Sequence, residues 1–141
     1  MTMTGFERPR YFVGKLVTAE DFELEQRYHI EKRCLLNRML QGAGVVSGLD
    51  VVEGEQGTVT VAPGFALDPH GREILVSEPH QLTISDCAEP VSICLLYTEV
   101  ESDRGTICET YELMTATVPV PDDAVVLGIV DADGAAGASA D

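Results

Sequence analysis

The apolar positions of this chain change period once, near residue 43. From Leu16 to Gly42, LVTAEDFELEQRYHIEKRCLLNRMLQG, they recur at helical spacing. Leu24, Tyr28, Leu35 and Met39 form one stripe, and Phe22, Leu36 and Leu40 a neighbouring one. Thr18 has the character of an N-cap with Asp21 as the acid of a capping box, and Val17 and Phe22 have the spacing of a hydrophobic staple. Glu20, Asp21 and Glu23 crowd the first turns while Lys32, Arg33 and Arg38 follow in the second half, the order that suits the helix dipole. Gly42 and Gly44 supply the stop. The spacing predicts a helix of roughly 22–24 residues, about 35 Å long.

Beyond Gly42 the period falls to two. GAGVVSGLDVVE reads as a glycine-rich corner leading into a strand through Val51 and Val52. TVTVA, REILVS and HQLTI alternate, with Val59, Val61, Ile74, Val76, Leu82 and Ile84 on the inward side. Pro63-Gly64 and Asp68-Pro69-His70-Gly71 are turn signals. VSICLLYTEV is apolar on both faces at its centre, as a central strand is, and it pairs with CETYELMTATV through a turn near Asp103-Arg104. AVVLGIV is another apolar strand. The class is therefore α+β: one long N-terminal helix followed by an antiparallel β-domain of six to eight strands, sandwich- or barrel-like. The chain divides into an extended docking arm over 1–17, the helix over 18–42, the β-domain over 43–131 and a flexible tail over 132–141.

Two readings of the helix stay open. In one it is a single amphipathic helix packed on its own sheet. In the other its wide apolar arc, Cys34, Leu35, Leu36, Met39 and Leu40, exceeds what a small sheet covers and meets a copy of itself or another protein. The arm poses the same choice. Tyr11 and Phe12 either cover the end of their own core or dock on a neighbour.

Charge sharpens this picture. Residues 1–50 carry seven Lys/Arg and seven Asp/Glu, whereas residues 51–141 carry two and seventeen. Nucleic-acid binding through the β-rich part is excluded by that balance, since phosphate contact needs cations. The acidity and the scarcity of lysine (Lys15 and Lys32 only) fit a concentrated-salt habitat, with a basic partner or cation as the competing explanation. No apolar run reaches transmembrane length, and MTMTGFERPR has no signal-peptide core. The four cysteines have no C-x-x-C spacing, and the hairpin sets Cys94 opposite residue 114 rather than Cys108, so free thiols are expected.

No catalytic, cofactor or metal motif is present. His29, His70 and His80 lie on the helix or beside turns without a ligand pattern, and Asp122-Asp123 and Glu99/Glu101/Asp103 fall in or beside loops. Tyr97 and Tyr111 have the spacing of a cross-strand pair. A non-enzymatic protein without cofactor is expected.

The segment RPRYFVGKLVTAEDFELEQRYHIEKRCLLNRMLQGAGVVSGLDV, followed by VTVAPGFALDPHGREILV, resembles the N-terminal region of proteins encoded near phage-tail-like contractile injection systems. Tyr11, Phe12, Gly14, Lys15, Leu16, Thr18, Asp21, Phe22, Gln26, Tyr28, Asn37, Gly44, Gly48, Pro63, Gly64 and Gly71 match its pattern positions. The resemblance implies a structural component of a phage tail or injection particle, a baseplate or tail-fibre adaptor assembled in the cytoplasm as a trimer. Family members are longer, with further C-terminal domains. The alternative is a stand-alone ligand- or carbohydrate-binding β-domain of a halophile. The expected interface residues are Arg8, Arg10, Tyr11, Phe12 and Lys15 of the arm with Phe22, Tyr28, Leu35, Leu36, Met39 and Leu40 of the helix, facing other tail, baseplate or fibre proteins.

The charge distribution yields a salt prediction. The Debye length grows from about 3 Å at 1 M to about 30 Å at 0.01 M, so self-repulsion of the acidic part should lower stability at low salt. Thermal melts in KCl should rise between roughly 0.05 and 2 M; an unchanged midpoint removes the halophilic reading.

Overall fold

The computed structural model describes residues 5–55, 57–84, 89–117, 119–131 and 136–137. One helix, α1 (Ala19–Leu40), starts from Thr18 in extended conformation. Asp21 reaches back to the Thr18 N–H (3.0 Å) and hydroxyl (3.3 Å), the acid arm of the capping box. Gly42, at φ 73°, ends the helix with its N–H on the Asn37 carbonyl at 3.0 Å. Val17 and Phe22, the residues at staple spacing, are both exposed.

The β-domain is built from β1 (Gly44–Gly48), β2 (Val51–Glu53), β3 (Thr58–Val61), β4 (Gly64–Leu67), β5 (Glu73–Val76) and β6 (His80–Thr83), then β7 (Val91–Glu101), β8 (Ile107–Ala116), β9 (Val125–Val130) and β10 (Ala136–Gly137). All pairings are antiparallel: β1-β4-β5, β2-β3-β6 and β10-β9-β7-β8. The first six segments are three long strands, each broken once at a common corner, and the alternating segments TVTVA, REILVS and HQLTI appear as β3, β5 and β6. The corner lies one strand later than the glycine-rich stretch suggested, because β1 already begins at Gly44.

At this corner Gly48 and Gly64 are cross-strand partners. A Cβ on Gly48 would stand 2.3 Å from the Pro63 carbonyl oxygen, and one on Gly64 would stand 2.3 Å from that of Ser47. Two glycines therefore let the backbones cross where side chains would force them apart. Pairing continues through the bend, Leu49 N–H to Pro63 O at 3.1 Å and Ala62 N–H to Asp50 O at 2.9 Å. Leu49 takes φ 60°, a costly conformation for a residue with a Cβ, and its side chain is buried in the core.

The bent meander packs on the four-stranded sheet. Val59, Val61, Ala66, Ile74 and Val76 meet Ile93, Leu95, Val125, Leu127 and Val130, with Tyr97, Tyr111 and Leu113 at the margin. Val91 through Leu95 are buried on both faces, as a strand flanked by two others must be. The β7–β8 register sets Cys94 opposite Met114 and Tyr97 opposite Tyr111, and Ser102–Thr106 closes the hairpin. Its outer part, residues 99–109, is exposed. Cys34, Cys94 and Cys108 are free thiols, while Cys87 lies outside the described residues. So does most of the expected tail; within it, Ala136 and Gly137 pair with β9.

Two glycines separate the steric and conformational parts of the corner's cost. Gly48 and Gly105 both have positive φ, at 65° and 75°, but only Gly48 has neighbours where a Cβ would go. Gly105→Ala should cost about 1 kcal/mol, whereas Gly48→Ala should cost upwards of about 3 kcal/mol by overpacking backbone on backbone. Urea midpoints at constant slope check this; equal losses refute the steric account.

Candidate docking surface

The arm lies antiparallel along the first half of α1. It covers its own helix, an arrangement that neither reading of Tyr11 and Phe12 anticipated. Lys15 is the hinge of that packing. A turn closed by the Lys15 N–H on the Phe12 carbonyl (3.1 Å), with Gly14 at φ 89°, brings its ammonium group back toward the helix. Lys15 Nζ donates to the Arg10 carbonyl at 2.9 Å, sits 3.3 Å from Asp21 Oδ1 and lies 5.4 Å from the Tyr11 ring centre. The Thr18 N–H, and after it Lys15, hold the Asp21 carboxyl below the usual range.

Further along, Tyr11 meets Glu25, and desolvation with that carboxylate raises its phenol pKa. The Arg8 guanidinium stands 6.0 Å from the Tyr28 ring centre. Lys32 donates to the Tyr28 hydroxyl at 3.0 Å, which pulls the phenol pKa down, and lies 5.9 Å from the Phe6 ring centre. The arm thus descends in register, Lys15 at Asp21, Tyr11 at Glu25, Arg8 at Tyr28 and Phe6 at Lys32. An open groove remains between arm and helix, lined by Arg8, Pro9, Arg10, Tyr11, Glu25, Tyr28 and His29.

The second half of α1 meets the β-domain through a polar seam. Asn37 Nδ2 donates to the Gly71 carbonyl (2.9 Å), Arg38 to the His70 carbonyl (3.2 Å) and Arg33 Nε to Glu73 Oε1 (2.8 Å). All three acceptors lie on the β4–β5 turn or at its end, and the turn is built around Asp68. That residue is 1% exposed. Its Oδ1 accepts the N–H groups of His70 and Arg72, both at 2.9 Å, and its Oδ2 accepts Arg72 Nε at 2.6 Å. Arg72 in turn lies 4.7 Å from the Tyr97 ring centre. The Tyr97 hydroxyl is 2.9 Å from both Glu99 and Glu109, and desolvation with these two hydrogen bonds pushes its pKa far up. Between helix and hairpin lies a cleft of about 280 Å³ lined in part by His29, Ile30, Tyr97, Glu99 and Glu109.

No residue of α1 is buried. In the apolar arc, Cys34 and Leu35 are half-buried, while Leu36, Met39 and Leu40 are 56, 69 and 73% exposed. Val45 and Val46 of β1 are also exposed, as are Phe12, Val13, Leu16 and Phe22 around the start of the helix. Arm and helix residues named from the sequence therefore share one layer: Arg8, Tyr11, Lys15 and Tyr28 tie arm to helix, and Leu36, Met39 and Leu40 face outward. The seam residues Arg33, Asn37, Asp68, Gly71 and Glu73 were not singled out as a contact; the Asp-Pro-His-Gly turn was visible, its docking to the helix was not. His70 Nε2 is 2.9 Å from Asp123 and His80 contacts the Tyr111 hydroxyl. Among the described residues no group of three or more His, Cys, Asp or Glu is placed to hold a metal ion, and no helix is long and apolar enough to cross a membrane.

No protein-family model matches the sequence, and no curated protein matches it. Among solved structures, the fold is similar to a chain of the type VI secretion system TssK-TssF-TssG baseplate subcomplex, with a TM-score of 0.58 and 14% identity over 92% of this chain. It is likewise similar to a chain of the baseplate complex from the type VI secretion system, with a TM-score of 0.58 and 13% identity over 95% of this chain. This chain spans 58% of the length of each of those chains. At such identities the likeness is one of fold: a long helix and antiparallel β-domain of the kind found in baseplate assemblies of a contractile injection system.

Proposed function

We propose that this protein is a non-enzymatic structural component of a contractile injection particle or phage tail, acting at its baseplate as an adaptor or attachment protein. The observation that carries the reading is the uncovered apolar layer of arm and helix. A folded monomer rarely leaves so many large apolar side chains open on one helix and its flanking arm unless a partner covers them. The fold shared with type VI baseplate chains and the resemblance of residues 8–77 to injection-system proteins support the setting. On this reading the arc of Leu36, Met39 and Leu40 is buried either between copies, as the homotrimer that the resemblance implies, or against a fibre or baseplate protein. The acidic β-domain then faces solvent. The alternative of a stand-alone binding domain has less to rest on, because the cleft under the helix is lined by groups that mostly satisfy one another.

Incorporation into particles tests the proposal. Deleting residues 1–15 should leave the β-domain folded by circular dichroism yet abolish incorporation. Arg10→Glu with Tyr11→Ala should weaken it by roughly 2–4 kcal/mol for each anchor. Normal assembly of the truncated chain contradicts the docking role.

A further inference from the structure

Beyond Leu95 the four-stranded sheet narrows to a ribbon of two strands. β9 pairs with β7 only over residues 91–95, while β7 and β8 stay in register out to the Glu101–Ile107 pair. The outer part of this ribbon, residues 99–109, is exposed, with Ile107 open to 58%. A two-stranded ribbon is marginal on its own. This one also sets Glu99 directly opposite Glu109, a like-charge pair that weakens it further. Both carboxylates reach the Tyr97 hydroxyl, a neutral partner with one proton to donate. β8 is the last strand of its sheet. Over Ile107–Ala116 it has no proline, no lysine and no bulge to guard the edge against another strand.

Negative charge guards it instead, and that charge selects what can pair there. Residues 99–112 carry five acids, Glu99, Glu101, Asp103, Glu109 and Glu112, against Arg104. Among the described residues none of the five is ion-paired. A second copy pairing at this edge would bring the same carboxylates against one another. Alternation puts Ile107, Glu109 and Tyr111 on one face of β8 and Cys108, Thr110 and Glu112 on the other. A strand added here therefore meets one carboxylate on each face, three residues apart. We propose that the outer edge of β8 receives an extended basic segment of another protein by strand addition. Two cationic residues of that segment, three apart, lie against Glu109 and Glu112, and main-chain hydrogen bonds supply the rest of the contact. The ribbon lies on the solvent-facing β-domain, and this contact does not rest on the docking role of arm and helix.

Three designed peptides test this on the full chain. One alternates threonine and valine around two arginines three residues apart. The second carries glutamates in place of the arginines. The third is the arginine peptide with its backbone N-methylated throughout, which keeps the charge and removes every main-chain donor. In fluorescence anisotropy the arginine peptide should bind about tenfold tighter than either of the others. Its margin over the glutamate peptide should shrink at 1 M KCl by screening, and Glu109→Lys/Glu112→Lys should reverse that preference. Hydrogen exchange of amides at 107–112 should slow when the arginine peptide is bound. Equal binding of the arginine and glutamate peptides, or no binding of any of the three, overturns the inference. Equal binding of the N-methylated peptide, or binding that leaves the amides at 107–112 unprotected, overturns it as well, since the contact would then be ionic attraction without strand addition.

Discussion

A Cβ at position 71 would stand 2.2 Å from the carbonyl oxygen of Cys34. That approach is where the helix and the β-domain touch, and only glycine, here at φ 83°, permits it. The turn that presents Gly71 is held from within by the buried Asp68 carboxylate and its three donors. Removing Arg72 would leave a buried charge without its counter-ion, the costly way to break such a pair. The position of α1 therefore depends on backbone proximity and a polar turn, with its apolar side chains playing a small part.

That manner of attachment leaves the helix free for the docking role proposed above. A helix held by its apolar face has nothing left to offer a partner. This one is fixed by Asn37, Arg33 and Arg38 on one side, and its leucines and Met39 project from another. The arm tightens the arrangement by covering the first half of the helix with cation–π contacts and the Lys15–Asp21 pair. Each is at most partly buried and individually weak.

Much of this was legible along the chain, because local signals carried it. The helix follows from apolar spacing, a Thr18 cap and a Gly42 stop. The β7–β8 register follows from the Asp103-Arg104 turn, which alone sets Cys94 against Met114 and Tyr97 against Tyr111. What escaped sequence reading depends on residues far apart. Nothing around Asp68 says that its carboxylate will be sealed beneath the helix, or that Asn37 will reach across to Gly71. The bend at Gly48 and Gly64 is equally non-local, since each glycine is required by the backbone opposite it. Gly48, Gly64, Gly71 and Asn37 are all among the residues that carry the resemblance described under Sequence analysis, and these contacts give each a physical reason.

Native-state hydrogen exchange tests most directly whether α1 is held only by the local seam at Gly71. In the isolated chain the amides of residues 30–40 should exchange by local opening, well before the β7 amides at 91–97, whose protection should approach the global unfolding free energy. Asn37→Ala should widen that gap by about tenfold and leave β7 unchanged. Equal protection of helix and β7, lost together with denaturant, would mean that the helix belongs to the core, and would contradict the account.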